Sequence, residues 1–567
     1  MRLATLAVPV APFALTTVAL AQATPFDQSG TVAFQAFGSS VSTVTLTPPF
    51  PNARPEEVLA ISSGPSGGNT ARVELWRFNE MNSTWVIDAV YQSRQGNAGN
   101  SAFGASMDLR GERTSPTTIE YEGIIGDPNA LASSGVAPGA ATVITPSTPT
   151  GMNLPGDFFG LGIDQLGTSV AYGDVTGDGV PEYIVGSPST IAGGPGRIDI
   201  FDSTLALVGT VPGPSAGSLF GTSVAYLGDT DNDGFGDYVV GAPFAGFLLQ
   251  GAAFVYSGLS TSPSTTIMGD LFTNSGQTVG NIGDIDGDQI DDFYVGEPLA
   301  GASGRIQIYG SAPGTMPVTV TPAGTGQAPP LGTLVAAGKD LDGDSIPDLA
   351  VPATTLGDLI AAYSGVSGAL IGTIPRDPGD TDAVSSLTLF DADGLCRNQI
   401  AVGQSSASIS SPPGAGRVRI LSIPDTFGYP YCCQPLAAAS SAGGFPGVTG
   451  GGSVSIAANN LTVTTTGLPT NTIAFHSVGT DPAFVTGFFG GPSTQCFGGT
   501  AGSFSIVSAG PSGSITTAVD FEALPRGLDM ATIGAGTTLY FQCFFRDVVG
   551  STSLLKLSSA RAITLIP

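Results

Sequence analysis

Apolar and polar positions alternate with a period of two along most of this chain, in short runs set between Gly-, Pro- and Asp-rich turns. The pattern predicts strands throughout and almost no helix. One stretch shows the unit clearly. Leu166-Gly-Thr-Ser-Val-Ala-Tyr172 alternates as a half-buried strand does, and the polar stretch Asp174 to Glu182 follows it. Tyr183-Ile-Val-Gly-Ser-Pro188 is a second, more apolar strand. Arg197-Ile-Asp-Ile-Phe201 alternates again, and Ala206-Leu-Val-Gly-Thr-Val211 makes a fourth. Four short strands in about 55 residues is the size of one blade of a β-propeller.

The parts recur. The opening appears as Phe37-Gly38, Phe103-Gly104, Leu166-Gly167, Phe220-Gly221, Ser275-Gly276 and Leu331-Gly332, with a degenerate version near Ser385. The second strand ends in Gly186-Ser-Pro188, Gly241-Ala-Pro243 and Gly296-Glu-Pro298, with Gly126-Asp-Pro128 earlier and Gly403 later. The third strand returns as Arg72-Val-Glu-Leu-Trp76, Arg305-Ile-Gln-Ile-Tyr309 and Arg417-Val-Arg-Ile-Leu421. Seven units fit between residues 30 and 428.

Four units carry a nine-residue acidic loop. The loops are Asp174-Val-Thr-Gly-Asp178-Gly-Val-Pro-Glu182, Asp229-Thr-Asp231-Asn-Asp233-Gly-Phe-Gly-Asp237, Asp284-Ile-Asp286-Gly-Asp288-Gln-Ile-Asp-Asp292 and Asp340-Leu-Asp342-Gly-Asp344-Ser-Ile-Pro-Asp348, their first residues 55, 55 and 56 positions apart. Ca²⁺ takes six to eight oxygens, and a short loop supplies them when alternate side chains point inward. On this reading positions 1, 3, 5 and 9 are ligands. They are Asp174, Thr176, Asp178 and Glu182; Asp229, Asp231, Asp233 and Asp237; Asp284, Asp286, Asp288 and Asp292; and Asp340, Asp342, Asp344 and Asp348. Position 7 adds a backbone carbonyl, from Val180, Phe235, Ile290 or Ile346, while its apolar side chain pins the loop to the core. Position 6 needs a tight turn, open to Gly179 and Gly234 and strained at Gln289 and Ser345. The Asp229 loop, with four carboxylates and a glycine there, is expected to bind tightest. Asp, Asn and Gly also favour turns for their own backbone reasons. Four loops in register outweigh that reading, except at Asp391 to Gln399, where Leu395 and Gln399 replace carboxylates.

The Phe-Gly opening, the acidic loop and the Gly-Ala-Pro close resemble FG-GAP repeats. These build the seven-bladed β-propeller of integrin α subunits and related exported proteins. The resemblance covers roughly 400 residues and is closest in the third to sixth units. It implies an all-β chain whose propeller carries about four structural Ca²⁺ sites on one face, with partner binding often on the other. A closed ring removes exposed sheet edges. Thr31-Val-Ala-Phe-Gln-Ala36 is a candidate closing strand, or the outer strand of the first unit.

Charge narrows the partners. The formal net charge is −27, which repels a phosphate backbone and disfavours nucleic acid. Residues 1–23 read as a signal peptide: Arg2, an apolar run from Leu3 to Ala21, and small-x-small cleavage motifs at Ala19-Leu-Ala21 and Ala21-Gln-Ala23. No later run reaches the roughly 18 to 20 apolar residues a span needs. The mature chain is expected to be exported: extracellular, on the cell surface or periplasmic. Export permits disulfides. The five cysteines leave one odd, with Cys433–Cys496 the preferred pair and Cys432–Cys543 the second option. His476 is the single histidine and reads as a surface or satisfied core residue.

Residues 433–567 change character and read as a β-sandwich of five or more short strands, among them Leu461 to Thr464, Ile473 to Phe475 and Leu539 to Phe545. Tyr431-Cys432 at the start, the Phe-Gly-Gly after Cys496 and Phe541-Gln-Cys-Phe-Phe-Arg-Asp547 resemble a C-terminal module of exported planctomycete-type bacterial proteins. The expected function is non-enzymatic. It is a calcium-braced surface or exported protein that binds a protein or glycan partner in adhesion, or an envelope scaffold. The alternative is an exported hydrolase or lyase acting on polysaccharide or lipid. One histidine and no nucleophile elbow argue against it, although a carboxylate pair is enough for a glycosidase. An exposed aromatic-rich face would favour the binder.

Overall fold

In a computed structural model, residues 27–565 are described except for stretches at 30–37, 48–55, 94–100, 323–329, 392–398, 406–414, 432–446 and 486–494 and shorter ones of up to six residues. The expected signal peptide, Thr31 to Ala36 and most of Asp391 to Gln399 lie outside the described residues. The all-β class holds: every described element is a strand.

The unit read between residues 166 and 211 is an antiparallel meander of Ser169–Gly173, Glu182–Ser187, Arg197–Phe201 and Leu207–Pro212. Three like it follow, starting at Ser223–Gly228, Val279–Gly283 and Ala336–Lys339. Before them two meanders share one nine-stranded sheet, because Thr45 to Thr47 run parallel with Arg110 to Glu112. After them come Ser386–Phe390, Gln399–Gln404 and Arg417–Leu421. Their fourth strand comes from the far end of the chain: Asp27–Ser29 pairs with Arg417–Leu421, Asp27 opposite Arg419. The strand that pairs there thus lies a few residues before Thr31 to Ala36.

The innermost strand of each meander packs on that of the next, and Val41–Thr47 packs on Ser386–Phe390. There Thr43 Oγ1 donates to the carbonyl of Leu389 at 2.7 Å. Position in the meander sets composition. Glu182–Ser187, Asp237–Ala242 and Asp292–Glu297 are buried at all six positions, so they read as near-continuous apolar runs. The outer Leu207–Pro212 is mostly exposed, with Val211 its one buried position. Between meanders the core is aromatic and branched. Phe220, fully buried, meets Phe254 and Tyr256 edge-on at 5.8 and 6.0 Å, the favoured geometry for ring quadrupoles.

The two glycine signatures meet across that seam. Gly221 sits at φ 92°, and a Cβ on Gly186 of the preceding meander would lie 2.3 Å from the Gly221 carbonyl oxygen. Only a residue without a Cβ lets the sheets approach this closely. Gly403 meets the carbonyl oxygen of Gly38 in the same way, joining the last meander to the first.

Beyond residue 428 two sheets face each other. One holds Tyr429–Tyr431, Thr552–Thr564, Thr538–Val549, Ile473–Val485 and Gln495–Ser503, and the other holds Gly447–Gly451, Leu461–Thr466 and Ile515–Val519. Leu461, Val463, Phe541, Phe545 and Ile563 fill the space between them. His476 is fully buried here, with Thr465 Oγ1 2.8 Å from one ring nitrogen and Thr517 Oγ1 2.7 Å from the other. It is the satisfied core residue of the two readings. Cys543 is a buried free thiol, so the Cys432–Cys543 option fails. Cys433 and the side chain of Cys496 lie outside the described residues.

Candidate metal loops and an apolar loop surface

Each acidic loop joins the first and second strands of its meander, and the register of those strands sets the distance across its mouth. Glu182 opposes Gly173, and Asp237 opposes Gly228. The ninth position is therefore the first residue of the buried second strand. Glu182, Asp237, Asp292 and Asp348 are all buried. The first position folds the loop around itself. Asp174 accepts from the backbone N–H of Gly177 at 2.7 Å and of Gly179 at 2.8 Å, and Asp284 takes Gly287 and Gln289 at 2.6 and 2.9 Å. Gln289 has φ 71°, the strained left-handed turn expected of it. Ser345 lies outside the described residues.

Three carboxylates converge in each loop: Asp174, Asp178 and Glu182; Asp229, Asp231 and Asp237; Asp284, Asp286 and Asp292; and Asp340, Asp342 and Asp344. One oxygen from each lies within 4.8 Å of the other two. Such convergence of like charge is relieved by a bound cation. The other expected ligands sit differently. The Thr176 hydroxyl donates to Glu182 Oε1 at 3.1 Å. Asp233 accepts from Ser257 Oγ at 2.9 Å, and Asp288 from the Ile290 N–H at 2.9 Å. Asp348 accepts from the N–H groups of Leu341 at 2.7 Å and Gly365 at 3.1 Å.

The electrostatics match that crowding. Burial pushes the carboxyls of Glu182 and Asp237 up from the usual range. Asp348 lies well above it, through burial first and then the charges of Asp342 and Asp340. Asp344 is pushed up to about 6 by burial and by Asp342. Asp237 Oδ1 is buried and has no hydrogen-bond partner. A carboxylate with an unpartnered buried oxygen, in a group of three that converge within 4.8 Å, suits a hard divalent cation with oxygen ligands. The donor set therefore fits calcium.

In three of the four loops an apolar anchor stands at position 2, in addition to the position 7 that the sequence reading named; in the second loop position 2 is Thr230, which bonds to Asp237 instead. Val175, Ile285 and Leu341 are buried in the seams between sheets. At position 7 the loops divide: Val180 and Phe235 are exposed, at 44 % and 49 %, while Ile290 is half-buried and Ile346 packs against the core as expected. Alternation predicts the anchor at position 2, which points opposite to 1 and 3, away from the loop interior.

Loops at the other end of the strands carry a feature that sequence reasoning missed. Phe244 to Gln250 joins a second strand to a third, and Gly269 to Asn274 joins a fourth to the next first. Their backbones are cross-linked: Phe272 N donates to Leu248 O and Asn274 N to Leu249 O, both at 2.9 Å, and Leu299 N to Thr273 O at 3.1 Å. Yet Phe247 is 70 % exposed, Phe272 53 % and Leu271 52 %. Leu248, Leu249 and Phe272 have φ of 50°, 55° and 64°, a conformation unfavourable for large side chains. The available signal was Phe244-Ala-Gly-Phe-Leu-Leu249, an apolar run where a polar turn belongs.

No family model matches the chain. It is similar to integrin α chains. It is 34% identical to integrin alpha-IIb of Homo sapiens over 208 residues, 33% of this chain and 20% of that protein. It is 31% identical to integrin alpha-8 of Gallus gallus over 221 residues, 35% and 21%, and 30% identical to integrin alpha-PS2 of Drosophila melanogaster over 216 residues, 33% and 15%. The chain thus spans about a fifth or less of the length of these relatives. The likeness supports an integrin-α-like, β-rich fold. No helix among the described residues is long and apolar enough to cross a membrane.

Proposed function

We propose that residues 30–428 form a seven-bladed β-propeller braced by calcium at the four acidic loops. On this reading the chain is a non-enzymatic, exported or cell-surface protein that binds a protein or glycan partner, in adhesion or as an envelope scaffold. One observation carries it: acidic loops close one end of the meanders, while the opposite end presents an ordered, exposed apolar surface. Large apolar side chains held outward on hydrogen-bonded loops in strained conformations are a feature of interaction sites. The order of packing of the innermost strands, and the contact of the last meander with the first, support a closed ring. The likeness to integrin α chains supports partner binding as the task. Residues 433–567 are a separate β-sandwich on this reading.

The test is calorimetric titration of the chelator-stripped chain with calcium, with melting curves alongside. About four sites and a clear thermal gain are expected, in the extracellular affinity range of roughly 10⁻⁴–10⁻³ M. A chain that takes up no calcium would return the loops to simple turns and remove the brace.

A further inference from the structure

A cavity of ≈ 430 Å³ lies among the innermost strands of four consecutive meanders. It borders the acidic loops, since Gly228 and Asp291 line it and Tyr226, another lining residue, donates its hydroxyl to the carbonyl of Asp174 at 3.0 Å. Its size is that of a small-molecule site. Val170, Val224 and Met107 give it an apolar wall, and Asp108, Arg110, Asn281 and Asp291 give it polar groups.

Arg110 is the unusual member. The chain has 18 Lys and Arg against 45 Asp and Glu, so a cation without an acidic partner is against expectation. Nine of the described Lys and Arg side chains meet a carboxylate within 4.0 Å. Arg110 makes no such pair, although Asp108 is two residues away on the same strand. Asp108 accepts the Tyr172 N–H at 2.8 Å and feels the Arg110 charge without closing an ion pair. Arg110 is exposed into this space, with its guanidinium 5.1 Å over the Tyr172 ring and one Nη2 bond to the Tyr172 carbonyl at 3.1 Å. Ring and carbonyl fix the guanidinium plane and leave most of its five donors free.

Across the cavity, Asn281 Nδ2 donates to Asp291 Oδ2 at 2.8 Å, and Asn281 Oδ1 accepts the Gly283 N–H at 2.7 Å. The second N–H of the amide goes to the Tyr226 carbonyl at 3.4 Å, so this side offers the amide and carboxylate oxygens as acceptors, which suits the protons of hydroxyl groups. A single planar guanidinium flanked by acids suits one carboxylate better than a phosphate dianion.

We infer that this cavity binds a small hydroxylated carboxylate of the sugar-acid class. Its carboxylate forks onto Arg110, its hydroxyls meet Asn281 and Asp291, and its carbon face lies on Val170 and Val224. The inference needs neither the metal loops nor the apolar surface to be functional, so its failure is distinguishable from theirs.

The test is calorimetric and thermal-shift titration of the full chain with sodium D-glucuronate, with D-glucose and L-glutamate as controls in the same calcium-containing buffer. One site for glucuronate is expected, with neither control matching it. Arg110→Met should weaken glucuronate about tenfold or more at an unchanged melting temperature. If that variant folds poorly, Asn281→Ala serves, and should also weaken glucuronate. A short oligoglucuronate separates two sources: tighter binding than the monomer assigns a polysaccharide end, and equal binding a free acid. No response to glucuronate, an equal response to glutamate, or full affinity in both variants overturns the inference.

Discussion

Replacing Asp237 by asparagine separates a calcium ligand from a turn residue, because the two roles predict opposite signs. Asp237 is buried at the head of its strand, with Oδ2 accepting the Thr230 N–H at 2.8 Å and the Thr230 hydroxyl. Its Oδ1 has no partner, and burial pushes the carboxyl above its ordinary range. A buried, unsatisfied polar atom costs about 1–3 kcal/mol, and more when charged. Asparagine has the same shape, takes the Thr230 donors with its oxygen and carries no charge. In excess chelator, Asp237→Asn is therefore expected to melt at the wild-type temperature or above it. In calcium the sign reverses. One site with a Kd of about 10⁻⁴–10⁻³ M stabilises by RT ln(1 + [Ca²⁺]/Kd), about 1.4–2.7 kcal/mol at roughly 10 mM. The variant should give up most of that one increment and leave the other three loops intact. Differential scanning calorimetry in the two buffers reads both arms. Equal destabilisation in calcium and in chelator would refute the reasoning, since the carboxylate would then serve only the turn.

Other outcomes follow from the same structure. Phe220→Ala should cost about 3–5 kcal/mol by emptying the seam between two sheets, whereas Phe247→Asp should stay within about 0.5 kcal/mol. Urea unfolding distinguishes them, and equal losses would show that the loop surface is part of the core. Leu249→Gly relieves a left-handed leucine and should be neutral or stabilising by up to about 1 kcal/mol, against the loss usual for glycine. A loss above about 1 kcal/mol would count against strain at that loop. His476 is held neutral, with burial pulling its pKa down from 6.5 to about 4. Its contribution is complete above pH 6.5 and is lost as pH falls from there toward 4, by about 3 kcal/mol in all. Chemical unfolding across that window should show the slope, His476→Asn should abolish it, and a flat wild-type profile would contradict it.

Much of the site was legible because its determinants are local. A period of two marks each strand, and four nine-residue loops at a near-constant spacing mark a repeated unit, whatever lies around them. The first position of the first three loops wraps onto backbone N–H groups only three to five residues away, so Asp174 and Asp284 are readable from spacing. The strained Gln289 follows from the turn alone. The anchor at Val175, Ile285 and Leu341 could also have been read, since it is the same alternation taken one residue on.

Other features depend on neighbours distant in sequence. Asp27–Ser29 joins Arg417–Leu421, a pairing across nearly 400 residues that no local pattern encodes. Asp233 turns to Ser257 on the third strand, so the number of carboxylates that converge is set by what else competes for each side chain. His476 looks like a surface residue in a Thr- and Ser-rich strand until the second sheet brings Thr517 over it. Phe247 and Phe272 look like core until the loops carrying them are found at the open end of the strands. The sequence by itself determined backbone periodicity, turns and the placing of the acidic loops, because these rest on hydrogen bonds and rotations within a few residues. Tertiary structure decided which sheet edges join, which carboxylates remain free and which apolar groups face water. Those outcomes depend on burial, and burial is a property of the packed chain.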